Sequence, residues 1–345
     1  MIGIGIMSGS SLDGLDIVAV EFKEDKELSW KITAHATMAL KESIADRLSK
    51  ILKLSTQSVF ELQSDYTLYI GQVTSTFLQS NKINPTYVSV HGHTVMHSPE
   101  YRSSWQLLNG GLLATTIDYP VVCDFRNQDM GLGGQGTPMA VIADRDLYPG
   151  YDYYINLGGI ANISYQNDNR WIAYDLFPFN QVLNYYSKKL GKPYDKDGAI
   201  AAQGIVNQKL LQQLHYEPYI TSIPPKSIDN SWVMDYWIEK INAYNLSVAD
   251  AMRTYIEFAV HHVSSIIPAD SKILWTGGGV HNKFFMRTID SNGLYSNIPD
   301  SSIIDYKEAV LIAYAAYLRW QDKPNFISSA TGAERDVVGG GVYLA

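Results

Sequence analysis

Ile2-Gly3-Ile4-Gly5-Ile6-Met7-Ser8-Gly9-Ser10-Ser11-Leu12-Asp13-Gly14-Leu15-Asp16-Ile17-Val18-Ala19-Val20 opens the chain and decides how it is read. Two apolar runs, Ile2 to Ile6 and Leu15 to Phe22, flank a polar turn, and both read as β-strands. The turn holds Gly9, Gly14, the hydroxyls Ser10 and Ser11, and the acids Asp13 and Asp16. Glycine lets a backbone come close to a ligand, and the neighbouring N–H groups can point at an anion. Acids beside an anion repel it unless a divalent cation lies between them. The turn therefore suits a phosphate chain carrying a metal; the alternative is an ordinary Gly/Ser/Asp hairpin, for which these residues are good turn formers.

A second stretch restates the first. Tyr153-Tyr154-Ile155-Asn156-Leu157-Gly158-Gly159-Ile160-Ala161-Asn162-Ile163-Ser164-Tyr165 is again strand, glycine turn and strand, about one domain length downstream. The echo points to a duplicated architecture with one glycine hairpin per half. A third glycine turn, Gly277-Gly278-Gly279, follows the strand-like Ile273-Leu274-Trp275-Thr276, and a helix is expected after His281-Asn282. Two hairpins could pinch a polyphosphate, and the third turn could let a flat ring lie against backbone. No G-x-x-x-x-G-K-[ST] run occurs, and Gly3-Ile4-Gly5 lacks the third glycine of a dinucleotide fingerprint. Strand and helix signals alternate elsewhere, which favours an α/β class. Thr86 to Val90 and Pro120 to Arg126 read as strands, residues 204–263 and Glu308 to Trp320 as helical, and Gly339 to Leu344 as a last strand. The glycine-rich Gly131 to Pro138 is the best candidate for a domain junction.

The 345 residues carry 27 basic and 35 acidic side chains, a net of −8, against the basic stripe of a nucleic-acid protein. The one cysteine, Cys123, excludes an intrachain disulfide and suits a reducing compartment. The N-terminus reads as a strand without a basic flank or a small-residue cleavage site, so no signal peptide is expected. No run of about 18 apolar residues occurs, so no membrane span is expected.

Several polar clusters carry candidate chemistry. His91, His93 and His97 are a candidate metal cluster, and His91 and His93 would share a face if extended, which zinc could use; the other reading has one imidazole hydrogen-bonding a substrate hydroxyl and another structural. Asp124 and Arg126 flank Phe125 at a strand end, where alternation puts both on one face. They form either an ion pair with a neighbour or an arginine fork for a carboxylate or phosphate. Asp175, before Leu176-Phe177-Pro178-Phe179-Asn180, is either a turn cap or a general base. Asp195-Lys196-Asp197-Gly198 reads as a solvated polar turn, and Pro224-Pro225-Lys226-Ser227 as a rigid turn with a cation, either a linker or a ligand contact.

In these blocks the chain resembles the anhydro-N-acetylmuramic acid kinases, members of the actin/hexokinase/Hsp70-like ATPase superfamily. The likeness runs from Met7–Asp16 through His91-Gly92-His93-Thr94-Val95, Asp124-Phe125-Arg126, Gly133 to Gly136 and Asn156 to Asn162. It continues through Asp195 to Gly198, Pro224 to Ser227, Gly277 to Asn282, Glu308-Ala309 and Thr331-Gly332-Ala333. The resemblance implies a two-domain α/β fold with a nucleotide cleft between the domains. Residues 1–128 are expected to form the first domain and 129–345 the second, with the C-terminal tail returning to the first. It implies ATP and Mg²⁺ as cofactors, an amino-sugar substrate, no nucleic acid or membrane partner, a cytoplasmic location, and an assembly for which a homodimer is one option. The family's reaction opens the 1,6-anhydro bridge of its sugar with a water deprotonated by an aspartate. The freed O6 takes the γ-phosphoryl group, and the product, N-acetylmuramic acid 6-phosphate, belongs to cell-wall recycling.

By the same resemblance Asp175 is the base. Gly9, Ser10, Ser11, Leu12, Asp13, Gly14, Leu15 and Asp16, with Gly158, Gly159, Asn162, Gly277, Gly278, Gly279 and Asn282, are expected to bind ATP. Asp13 and Asp16 are expected to organise Mg²⁺, directly or through water. His91, His93, Thr94, Arg126 and Glu308 are expected to line the sugar pocket. The loop after the base departs from the family's Asp-Thr-Gly-Pro-Gly-Asn: Asp175, Pro178 and Asn180 remain, while Leu176, Phe177 and Phe179 replace a threonine and two glycines. Either the pocket is reshaped for another sugar or the loop has left the site. Ser10 replaces a threonine, His93 a glutamine, and Asn109 stands where the family has a carboxylate. A kinase for a related amino sugar, or an ATP-binding regulatory homologue with weakened chemistry, are the alternatives.

Overall fold

A computed structural model describes residues 1–8, 14–224, 226–228 and 232–345. Gly9, Ser10, Ser11, Leu12 and Asp13 of the first glycine turn, and Pro225, lie outside the described residues. The chain divides into two compact units, Met1–Pro149 with Tyr306–Ala345, and Gly150–Asp305.

Unit 1 is built on strands β1 (Ile2–Ser8), β2 (Leu15–Glu24), β3 (Leu28–Met38), β4 (Tyr87–Val90) and β7 (Val121–Cys123); β5 (His93–Ser98) and β6 (Ser103–Leu107) form a separate hairpin. The main sheet runs β3-β2-β1-β4-β7 and ends on the terminal strand Gly341–Tyr343. β1, β2 and β3 form an antiparallel meander, and β4 and β7 add in parallel. The helix Thr56–Asn81 packs its stripe of Leu62, Tyr66, Ile70, Val73 and Phe77 into this unit's core with Ile4, Ile6 and Ile17. Ser55 starts that helix by accepting from the Ser58 N–H. A Cβ on Gly5 would sit 1.9 Å from the Ala309 carbonyl oxygen, so β1 touches the backbone of the helix Ser301–Trp320 where only glycine fits.

Unit 2 repeats the plan with β8 (Tyr153–Leu157), β9 (Ile160–Asn167), β10 (Arg170–Pro178), β11 (Ile273–Thr276) and β12 (Ser296–Asn297), in the order β10-β9-β8-β11-β12. Again the first three strands are an antiparallel meander and the last two are parallel additions. Its own core joins Ile155, Ile163 and Trp275 to Tyr255, Phe258 and Val263 of the helix Val248–Ile266. Both units therefore share one strand pattern, the duplicated α/β architecture that the paired glycine hairpins suggest.

Three local expectations change. The glycine-rich stretch after Met130 lies inside unit 1: Gln135 N–H donates to the Thr331 carbonyl, and the buried Asp129 accepts from Gly136 N–H and the Thr331 hydroxyl. The division of the chain falls at 149/150 and 305/306, against 128/129 in the sequence reading. Pro120 to Arg126 is not one strand, because β7 stops at Cys123 and Asp124 takes a left-handed φ of 56°. Asp124 and Arg126 consequently share no strand face. Nor do His91 and His93 lie on one extended strand, since β4 ends at Val90 and β5 belongs to a different sheet.

Candidate active site

In unit 2 the strand register brings polar residues into a row. Asp175 of β10 faces Asn162 of β9, which faces Asn156 of β8, which faces Thr276 of β11. Residues directly opposite one another share a sheet face. The row sits beside both glycine turns. Gly277 has a φ of 82°, and a Cβ there would fall 2.5 Å from Asn156 Oδ1. The same construction at Gly278 meets nothing within 4 Å, so the backbone is open on that side.

Asp175 is half-buried. Its Oδ2 accepts from the Ile228 N–H at 2.9 Å, and among the described residues Oδ1 has no hydrogen-bond partner. Burial raises its pKa to about 6, opposed by the Ile228 hydrogen bond. The altered loop that follows stays on the glycine hairpin: the N–H groups of Phe179 and Gln181 donate to the Gly159 carbonyl, and that of Asn180 to the Gly158 carbonyl. Asn180 Nδ2 adds a bond to the Leu157 carbonyl. A bulge between Asp175 and Phe177 lets Leu176 and Phe177 both be buried. Phe177 lies against Phe258 and His262, and Phe179 against Phe285. The two phenylalanines are core residues, turned away from solvent.

In unit 1, His91 and Arg126 form a pair. His91 Nε2 is 2.9 Å from an Arg126 terminal nitrogen, and Nδ1 is 2.9 Å from the Gly92 carbonyl. A carbonyl only accepts and a guanidinium only donates, so Nδ1 carries the proton and Nε2 accepts. Burial, reinforced by Arg126, pushes the His91 pKa down to about 3, so the ring is neutral. Burial lowers Arg126 to about 10 against the opposing field of Glu308. Arg126 Nε and His93 Nδ1 are buried without a partner among the described residues. Glu308 is pushed up by desolvation and by Asp16, with Lys307 and Arg126 opposing. Asp16 Oδ1 accepts from the Thr37 hydroxyl at 2.6 Å. Thr94 is exposed on β5, opposite Gln106.

Other expected site residues have local duties. Asn282 is the N-cap of the helix Lys283–Ser291, accepting from the Phe285 N–H. Asn109 likewise caps the helix Gly110–Ile117, accepting from the Leu112 N–H; an aspartate would cap equally well, so the cap gives no reason for the amide. Asp195 is buried and accepts from the N–H groups of Ile200 and Ala201, so it ties the turn together and is not solvated filler. Sequence reasoning missed Asn156 and Thr276, which the repeated hairpin and the third turn flank. It also missed Tyr219 and Ile228, for which no spacing signal exists because only the fold brings them to Asp175.

Unit 2 sets a carboxylate with one unengaged oxygen beside glycine turns, and unit 1 holds a desolvated guanidinium against a neutral imidazole; groups of these kinds are working parts of small-molecule enzymes. The family model described as Anhydro-N-acetylmuramic acid kinase matches residues 1–345. Curated relatives with that description include one from Haemophilus influenzae, 30% identical, covering 99% of this chain and 97% of its own length. One from Paramagnetospirillum magneticum is 31% identical, covering 99% of both. Among solved structures, an activator of 2-hydroxyisocaproyl-CoA dehydratase from Clostridium difficile with bound ADPNP aligns at 14% identity over 93% of this chain and 96% of that one, TM-score 0.45. The chain belongs to the anhydro-N-acetylmuramic acid kinase family.

Proposed function

We propose that this chain is an ATP-dependent kinase that opens 1,6-anhydro-N-acetylmuramic acid and phosphorylates O6. The observation that carries the reading is Asp175: in a chain of this family, one carboxylate oxygen is fixed by a backbone N–H and the other is unengaged among the described residues. Asp175 Oδ1 takes a proton from a water as that water bonds to the anomeric carbon, and the C1–O6 bond breaks toward O6, which bonds to the γ-phosphorus of ATP as the bond to the β,γ-bridging oxygen breaks and ADP leaves. A pKa of about 6 leaves the base largely ionised at neutral pH yet close enough to it for efficient proton transfer.

Arg126 is proposed to grip the sugar's carboxylate with its unpartnered N–H, aimed by the neutral His91, with His93, Thr94 and Glu308 around the sugar. The turns fit a nucleotide: the open backbone at Gly278 accepts the approach of a flat ring, and Gly158, Gly159 and Asn162 lie on the hairpin beside Asp175. Asn282 acts there by capping the helix after the turn. Gly9 to Asp16 would hold the phosphates, with Asp13 and Asp16 organising Mg²⁺ directly or through water. Bound Mg²⁺-ATP supplies the transferable phosphoryl group and neutralises charge during its transfer. The reading places the reaction in the cytoplasm, where ATP is at hand.

An ADP-release assay with Mg²⁺-ATP and a panel of 1,6-anhydro-N-acetylmuramic acid, N-acetylmuramic acid and N-acetylglucosamine tests this. Turnover with the anhydro-muramic sugar is expected. Turnover confined to another amino sugar assigns a related kinase, and calorimetric ATP binding with no turnover on any sugar assigns a regulatory homologue.

A further inference from the structure

We propose that Lys226 and Tyr219 form a strut that positions Asp175, and that the Lys226 ammonium is not a substrate cation. The inference rests on the reading of Asp175 as the base. Asp175 is tied at three atoms to one segment. Its N–H donates to the Lys226 carbonyl at 3.2 Å, its carbonyl accepts from the Tyr219 hydroxyl at 2.8 Å, and its Oδ2 accepts from the Ile228 N–H at 2.9 Å. Lys226 binds the two ends of this segment together: Nζ donates to the carbonyls of Tyr219 at 2.9 Å and Ile220 at 3.2 Å. It also lies 4.9 Å from the Tyr219 ring centroid and 5.4 Å from that of Tyr174.

Among the described residues no carboxylate pairs with Lys226; carbonyl dipoles and aromatic faces hold its charge instead. Two of its three N–H donors are committed to backbone, which suits a brace. The titratable groups packed around it are Tyr174 and Tyr219, both raised by burial, and His262, lowered to about 4 by burial with Lys226 and His215 adding; His215 is itself lowered by burial. Removing the ammonium releases the segment and takes the Ile228 N–H from Oδ2. A backbone N–H on a carboxylate favours the charged form, so its loss moves the carboxyl's titration upward.

The test is steady-state ADP release from pH 5 to 8.5 for the wild-type chain, Lys226→Met, Tyr219→Phe and Asp175→Asn. Lys226→Met is expected to lower kcat roughly 10- to 100-fold and Tyr219→Phe about three- to tenfold, with KM for ATP within about twofold. In both variants the acid limb of kcat should move up by about half a unit to one unit. A uniform loss with an unmoved limb overturns the strut. So does a tenfold or larger rise in sugar KM at unchanged kcat, which makes Lys226 a substrate ligand. If Lys226→Met does not fold, Tyr219→Phe, which removes one oxygen, decides by the same limb. An active Asp175→Asn variant sinks the base reading itself, whereas an inactive one beside unmoved limbs sinks only the strut.

Discussion

At Asp175 the protein holds a carboxylate in surroundings that disfavour its charge. Burial raises its pKa from 3.8 to about 6, so the folded state binds more protons here than the unfolded chain between those values. This site therefore loses stability as pH rises from about 4 to about 6, and at neutral pH the buried, ionised carboxylate costs stability. Asp175→Asn should lower turnover by at least about a hundredfold while melting no lower than wild type at pH 7; a lower melting temperature would contradict this account of the site. Wild-type kcat should fall as pH drops below about 6. His91 works in the opposite sense. With a pKa near 3 it stays neutral throughout the working range, so His91→Ala should add or remove no limb between pH 5 and 8. It should instead raise the sugar KM about tenfold, because Arg126 loses the acceptor that aims it. Enzyme kinetics with varied sugar at several pH values checks both points.

The loop after Asp175 is decided at the level of the element. Read as sequence, two phenylalanines in place of glycines leave two outcomes open, a reshaped pocket or a loop gone from the site. The structure gives neither ring to the sugar. Phe177 and Phe179 are fully buried against Phe258, His262 and Phe285, while the loop backbone remains hydrogen-bonded to the Gly158-Gly159 turn. Their change is a core event. Phe177→Ala should cost about 3–5 kcal/mol of stability, read as a lowered urea midpoint. A loss below about 1 kcal/mol would place the ring outside the core. Strand alternation had a different fate around Arg126. Two apolar valines and a cysteine make β7, but the left-handed Asp124 ends it and turns Arg126 toward His91, a bend that no periodicity announces.

Across the whole molecule, each unit repeats the plan of an antiparallel meander with parallel strands added to it, and in unit 2 the Gly158-Gly159 hairpin and the Gly277 turn follow two of those strands. If these turns take a nucleotide, Mg²⁺-ATP at a hundred times its Kd should stabilise the chain by about 2.7 kcal/mol. Differential scanning fluorimetry should show the melting transition rise with Mg²⁺-ATP; an unmoved transition at millimolar nucleotide would count against the site. The amino-acid sequence by itself determined the α/β class, the strand pairs that flank the first two glycine stretches and the third turn, and it singled out Asp175 as a candidate, because period-2 strands, turn-forming glycines and short-range motifs are local properties. Only the tertiary structure decided the rest. It put residues 129–149 and 306–345 with the N-terminal strands and kept His91 neutral by burying it beside Arg126. It buried the two phenylalanines and clamped Asp175 with Tyr219, Lys226 and Ile228. Those outcomes depend on desolvation and on hydrogen bonds between residues tens of positions apart, and such distances exist only once the chain has folded.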